Sequence, residues 1–364
     1  MGNISSCKKK QEEEEEKKRR EGTVFKPPLK GTEVYRIPAL IYDTDNKMLL
    51  AFAEKRISEK DSSTEELVMK TGTVNRDEPT QEVKITWSEL STVVKKDKDY
   101  RPMNPCPVYD KTSKTLYLFF IRVKGEERDQ IEQNKSTARL YYITSTDFGQ
   151  TWSDEADLPE TLPVIKNWAT FAVGPGHGLQ TESGCLIVPV YAHIKSEKVV
   201  QYALALYKDQ SDTNWKFGKM LPNESGECQM AEVVHEQHKS FIYCNARTKE
   251  GFREEAVSEN NGEDFYSKGD LKLVETKEYE GCQGSVVSFP AQSEGANGDL
   301  SQSQNTWLLY THPSDESKRI NIAVYLNKSP QEQNAWSKPW IIYNGPSAYS
   351  DLAWLTLVMV GLHV

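Results

Sequence analysis

The chain has no cysteine pairs, no excess of positive charge and no long helical run, and each lack removes a class of protein. Cys7, Cys106, Cys185, Cys228, Cys244 and Cys282 are scattered, with no C-x-x-C spacing. This excludes a disulfide scaffold and a paired-thiolate zinc site, and it points to a reduced, cytosolic compartment. No secretory signal opens the sequence, so the N-x-S triplets at Asn134, Asn223 and Asn327 read as chance matches. Lysine and arginine number 45 against 54 aspartates and glutamates, a formal charge of −9. General nucleic-acid binding needs a basic face and is excluded. An anionic small molecule is not, because a local arginine cluster can override net charge. His235 and His238 lie close together, but no third ligand stands at metal-binding spacing. The apolar tail AWLTLVMVGLHV, 353–364, is too short to span a bilayer.

What is present is a succession of short aromatic and β-branched runs. LLAFA (49–53), VKITW (83–87), LYLFFI (116–121), RLYYIT (139–144), CLIVPVYA (185–192), YALALY (202–207), SFIYC (240–244), SVVSF (285–289), TWLLYTH (306–312) and INIAVYL (320–326) are separated by Gly, Asp, Asn and Pro clusters. The pattern predicts an all-β sandwich, barrel or propeller. The polar stretch 292–305 reads as a surface loop of that domain. A turn motif recurs: STDFGQTW (145–152), a looser SENNGEDF (258–265) and a degenerate KDQSDTNW (208–215). An Asp or Asn that accepts turn backbone bonds, a Gly at positive φ and an aromatic beneath make a hairpin turn. Its recurrence suggests repeated blades.

The first ten residues, MGNISSCKKK, fit the N-myristoylation pattern M-G-x-x-x-[ST] at Gly2. Cys7 is placed for a palmitoyl chain, and Lys8, Lys9 and Lys10 follow. Two acyl chains, or one with a basic patch, anchor a protein stably. The expected location is therefore the cytoplasmic face of a membrane, the plasma membrane first, or the cytosol without acylation. The expected division is a charged leader over 1–22, one β domain over 23–352 and a divergent tail over 353–364.

VYRIPAL (34–40) is the first sign of a site. Val34, Ile37, Ala39 and Leu40 read as a buried strand with Arg36 among them. A buried guanidinium needs an anion. With LLAFAEKR (49–56), Asp61, MNPCP (103–107), TFAVGPGH (170–177), ECQ (227–229), NAR (245–247), GCQGS (281–285), LLYTHP (308–313) and AYSDL (348–352), the chain resembles the sialidases (exo-α-sialidases, neuraminidases), in particular the animal cytosolic and plasma-membrane ganglioside sialidases. The likeness covers about residues 24–352.

The resemblance implies a six-bladed β-propeller with Asp-box turns. It also implies retaining exo-α-hydrolysis of terminal sialic acid from gangliosides, oligosaccharides and glycoproteins, with a tyrosine nucleophile as sialidases use. On this reading Arg36, Arg247 and Arg319 grip the substrate carboxylate, which suits their planar charged forks. Tyr349 is the nucleophile, Glu227 takes its proton and Asp61 is the general acid/base. Arg56 contacts the glycan ring, Met103 and Asn104 wall the N-acetyl side, and Tyr191 lines the glycerol side. His193 stands where close relatives carry a second Tyr, Glu280 stands where some carry Gln, and Glu126 and Glu127 lie in a loop placed to form a lid. Tyr, Glu, Asp and Arg fill every role, so no metal or organic cofactor is implied.

The likeness stops after Leu352. The family's later strands, with a Glu that braces the first arginine, have no counterpart in 353–364. The expectation is a propeller whose last blade is incomplete, with lower stability. Two alternatives therefore stand beside the hydrolase: a catalytically impaired sialic-acid-binding propeller, and a propeller serving only as an interaction platform.

Overall fold

The computed structural model describes residues 22–28, 31–77, 82–158, 162–195, 197–235, 239–269, 273–291, 305–355 and 359–363. Gly2, Cys7 and His238 lie outside them.

Every stretch read as a strand from its composition is one, and the strands group into antiparallel meanders. Sheet one joins β1 (Val34–Asp43), β2 (Met48–Arg56), β3 (Thr64–Arg76) and β4 (Val83–Trp87), with β5 (Ser91–Lys95) on β3. Sheet two runs β6 (Arg101–Asp110), β7 (Thr115–Val123), β8 (Arg139–Ser145), β9 (Ala156–Asp157). A short helix, α1 (Glu127–Gln133), joins β7 to β8. Sheet three runs β10 (Trp168–Val173), β12 (Leu186–Ile194), β13 (Val200–Lys208), β14 (Lys216–Phe217), with β11 (Leu179–Gln180) on β12. Sheet four runs β15 (Cys228–His235), β16 (Lys239–Ala246), β17 (Glu254–Ser258), β18 (Tyr266–Ser267). Sheet five runs β19 (Ser285–Pro290), β20 (Thr306–Pro313), β21 (Ile320–Asn327), β22 (Trp340–Pro346). β23 (Ser350–Trp354) and β24 (Met359–His363) form a two-stranded sheet.

These sheets are the blades of a β-propeller. The apolar clusters lie between sheets: Phe52 and Met69 of sheet one meet Leu118 and Phe120 of sheet two, Phe119 meets Trp215, Ile187 meets Met230, and Tyr243 meets Tyr310. Ala353 and Leu362 pack on Leu40 and Leu49 of sheet one, and Trp354 stacks on Phe289 of sheet five at 4.8 Å. The two-stranded sheet therefore stands between sheets five and one. Inner strands are covered on both faces, so β2 and β12 are buried almost throughout, whereas outermost β4 alternates. The described residues form five blades and a two-stranded sheet. A cavity of about 520 Å³, lined by Leu309, Val324, Trp340 and Leu362 among others, remains between sheet five and that short sheet.

The repeated turns share one bonding scheme. Ser145 Oγ accepts the Gly149 N–H at 2.7 Å, and Asp147 Oδ1 accepts the Thr151 N–H at 2.8 Å. Ser258 Oγ accepts the Gly262 N–H at 2.9 Å, and Asn260 Oδ1 accepts the Asp264 N–H at 2.9 Å. Gly149 and Gly262 sit at φ 88 and 87, where a side chain would be strained.

Two inner strands are re-aimed by the same device. In β1 the register slips between Arg36 and Ala39, with Ile37 at φ 56 before Pro38. In β6 it slips between Met103 and Cys106, with Asn104 at φ 56 before Pro105. A proline supplies no ladder donor, and a bulge turns neighbouring side chains. A β-branched residue at positive φ is costly and persists only where its surroundings enforce it. Both bulges lie among residues singled out for the site.

Candidate functional site

The first strands of neighbouring sheets lie against one another, so residues far apart in sequence meet where they converge. Tyr349 immediately precedes β23, and Glu227 immediately precedes β15. The Tyr349 hydroxyl donates to Glu227 Oε1 at 2.5 Å. Arg247 Nη1 donates to Glu227 Oε2 at 2.8 Å and to the Tyr349 oxygen at 3.2 Å. The Arg319 guanidinium lies over the Tyr349 ring, 5.6 Å from its centre. Tyr349 is 8% exposed and Glu227 6%. Burial pushes the Tyr349 phenol well above its ordinary value and the Glu227 charge adds to this, while Arg247 and Arg319 pull the other way. The phenol therefore stays neutral at rest and needs an adjacent base to become a nucleophile.

A second group forms at the end of sheet one. Arg56 is fully buried, and its Nη1 contacts Asp61 Oδ1 at 2.5 Å. The Asp61 side chain is 74% exposed, so it is open to solvent. Glu54, also fully buried, orders this group. It accepts from Arg56 Nε, Thr64 Oγ1 and the Asn104 N–H, each at 2.8 Å. Arg101 Nε donates to the Asp61 carbonyl at 3.1 Å and lies 3.1 Å from Met103 Sδ.

Arg36 connects the two groups. It stands directly opposite Glu54 across β1 and β2, and opposite residues share a sheet face. Its neighbour Ile37 packs on Tyr349 and Cys282. Arg36 Nε is buried with no hydrogen-bond partner, as is Arg319 Nε. Buried donors are normally satisfied, and Arg319 is the one of the two that lies against Tyr349.

A third group flanks these. The Tyr191 hydroxyl donates to Glu127 Oε1 at 3.3 Å, and His193 Nε2 is 3.6 Å from the same oxygen. Burial, then Glu127, Glu227 and Tyr349, push the Tyr191 phenol up, which places it in the field of the first group. Glu126 Oε1 accepts from Ser62, next to Asp61, at 3.3 Å. The Glu126–Glu127 segment thus reaches both the Asp61 turn and the Tyr191 strand. Glu280 pairs with Lys249 at 2.8 Å.

The sequence reading missed Glu54, Arg101, Arg253 and Glu275. Arg253 and Glu275 form a fully buried pair at 2.5 Å behind Cys282. For Glu54 a signal existed: a carboxylate at the end of the apolar run 49–53, as informative as Arg36 within VYRIPAL. Among the described residues no group of His, Cys, Asp and Glu could hold a metal. No described helix is long and apolar enough to cross a membrane.

A family model described as a BNR repeat-like domain matches residues 47–356. The chain is 39% identical to mouse Sialidase-3 over 369 residues, covering 91% of this chain and 87% of that protein. It is 43% identical to mouse Sialidase-2 over 334 residues, covering 88% and 85%. Among solved structures, the Hadza microbial sialidase Hz136 superposes with a TM-score of 0.70 at 18% identity, covering 88% of this chain and 61% of that one. At that identity the likeness supports the propeller fold alone.

Proposed function

This chain belongs to the animal sialidase family and is a glycoside hydrolase of the exo-α-sialidase class, and we propose that it acts with retention through Tyr349 on terminal sialic acids of gangliosides, oligosaccharides and glycoproteins. One observation carries this reading: a buried, neutral tyrosine hydroxyl donates at 2.5 Å to Glu227 with Arg247 beside both. A neutral phenol can approach an anionic sugar without like-charge repulsion. In the first step Asp61 gives its proton to the leaving glycosidic oxygen as that C–O bond breaks. The Tyr349 oxygen bonds to the anomeric carbon, and its proton passes to Glu227. In the second step Asp61 takes a proton from water, whose oxygen displaces the tyrosine, and Glu227 returns the proton to Tyr349. Arg36, Arg247 and Arg319 hold the substrate carboxylate throughout, and the orphaned Nε donors of Arg36 and Arg319 support that role. Arg56 steadies Asp61, and Met103, Asn104 and Tyr191 shape the wall around the sugar.

The test is the first product anomer, read by proton NMR during hydrolysis of an aryl sialoside. Retention gives the α-anomer first; the β-anomer first overturns the mechanism. Asp61→Ala is expected to slow alkyl sialosides at least about 100-fold and nitrophenyl sialosides much less, because a good leaving group needs no acid. Equal slowing of both would remove Asp61 from that role.

Two structural readings accompany this one. The serine-centred turns at Ser145 and Ser258 are taken as Asp boxes, supported by their shared bonds. The two-stranded sheet is taken as a partial sixth blade, supported by its place between sheets five and one. That partial blade and the partnerless Arg36 Nε favour one alternative, a propeller that binds sialic acid with impaired turnover. Saturable binding without sugar release would select it.

The sequence MGNISSCKKK supports peripheral attachment to a membrane carrying glycolipid substrate. The double variant Gly2→Ala, Cys7→Ser is expected to leave the membrane pellet for the soluble fraction. Unchanged partition overturns the anchoring.

A further inference from the structure

Four consecutive residues, Glu278 to Gly281, hold two of the site arginines from behind. The Tyr279 and Glu280 carbonyls accept from Arg247 Nη2 and Nε, the latter at 2.9 Å. The Gly281 carbonyl accepts from Arg319 Nη2 at 2.5 Å. Glu278 Oε2 accepts the Arg319 backbone N–H at 2.6 Å, and the Tyr279 ring lies 5.1 Å from the Arg319 guanidinium carbon. Successive carbonyls face two guanidiniums because the backbone is left-handed at Tyr279, Glu280 and Gly281, with φ 52, 56 and 96. Side-chain-bearing residues rarely adopt that conformation, and two in a row must be enforced by what surrounds them.

The enforcement lies beneath the loop. Cys282 donates its N–H to Glu275 Oε1 at 2.9 Å, and its carbonyl accepts from Arg253 Nη1 at 2.5 Å. Arg253 and Glu275 are themselves paired at 2.5 Å, both fully buried. Asn245 Oδ1 accepts from Arg253 Nε at 2.8 Å, and His312 Nε2 stands 2.9 Å from Glu275 Oε1. Burial works against the Glu275 charge, yet Arg253 and His312 bring its pKa down to about 2. A Cβ on Gly281 would come within 2.8 Å of Arg247 Cγ and 2.9 Å of Glu275 Cδ, so the arginine, the loop and the buried carboxylate are in mutual contact with no slack.

We propose that the Glu278–Cys282 loop, set in place by the buried Arg253–Glu275 pair, is the positioning element that aims Arg247 and Arg319 at the substrate carboxylate, with Glu275 and Glu278 as positioning residues. This rests on the reading of those arginines as the carboxylate grip. It also gives the buried pair a purpose that packing alone does not, since a buried ion pair is weak evidence for stability.

The test compares binding of a 2,3-unsaturated sialic acid analogue with that of its methyl ester, by calorimetry on the full chain. The ester keeps the shape and lacks the charge. The wild type is expected to prefer the acid at least 30-fold. Glu275→Gln is expected to cut that preference at least tenfold while ester affinity stays within about twofold. Glu278→Ala, a change in a partly exposed loop that leaves the core intact, is expected to cut it at least threefold, and it decides the matter if the Gln variant does not fold. An unchanged acid preference in the variants, or equal loss of both ligands, overturns the positioning role while leaving the grip intact. A wild type that does not distinguish acid from ester overturns the grip, and the positioning role with it.

Discussion

Tyr349→Phe is expected to lower kcat/KM on an aryl sialoside by at least about 10³-fold, a loss of about 4 kcal/mol in transition-state stabilisation. The substitution removes one oxygen and leaves a ring of the same shape in a site that is 8% exposed. The cost to folding should be small, on the order of 1 kcal/mol, because Glu227 loses one donor and keeps Arg247. Ligand binding should survive, since Arg36, Arg247 and Arg319 are untouched. This combination separates a nucleophile from a merely well-placed hydrogen-bond donor. A donor that only orients Glu227 would cost about tenfold, and a residual rate within that range would remove Tyr349 from the covalent step. The accompanying measurement is trapping: a 2,3-difluorinated sialic acid analogue, losing its anomeric fluoride as the Tyr349 oxygen bonds to that carbon, should add its mass less HF to a wild-type peptide containing Tyr349 and not to the Phe variant.

The parts of the fold and of the site that were readable from sequence were those in which a charged or special residue breaks an apolar pattern. Arg36 inside VYRIPAL is one, and the turn residues Ser145, Asp147 and Gly149 are another. The second strands of the sheets were legible because β-branched and aromatic runs are long there, as in β7 and β20. The first strands β6, β10 and β15 were not legible by composition, because they carry proline, bulges or functional residues that spoil the pattern. Their place came from motif resemblance. What neither route supplied was the support behind the site. Arg253 and Glu275 lie on opposite sides of the Tyr266–Ser267 strand in the sequence, where nothing marks them as partners. The backbone bridge between Phe252 and Val274 brings them together as a buried pair. The blade count came from family likeness alone, and the described residues show five blades with β24 paired to β23.

That short sheet makes Asp351 the most consequential structural residue outside the chemistry. Asp351 is fully buried in β23. Its Oδ2 accepts the Leu40 N–H of β1 at 2.7 Å. Its Oδ1 accepts from Ser285 of β19 at 2.7 Å and lies 2.8 Å from His177 Nδ1. One carboxylate thus ties the two-stranded sheet to both neighbouring blades and to the segment following β10. Blades with four strands have large apolar faces to hold their neighbours, whereas among the described residues the short sheet offers Leu352, Ala353, Leu355, Val360 and Leu362 with Trp354 at its edge. Asp351→Ala removes every one of these bonds and strands the Leu40 N–H and the Ser285 hydroxyl away from water. The expected loss is roughly 3–5 kcal/mol, the range for breaking a buried charged network. It would be read as a lower urea midpoint with little change in slope. Because β1 carries Arg36 and β23 follows directly on Tyr349, the same variant should also raise KM more than Leu362→Ala, which trims the short sheet without touching the tie. A midpoint within about 0.5 kcal/mol of wild type would mean that apolar packing alone holds the short sheet in place.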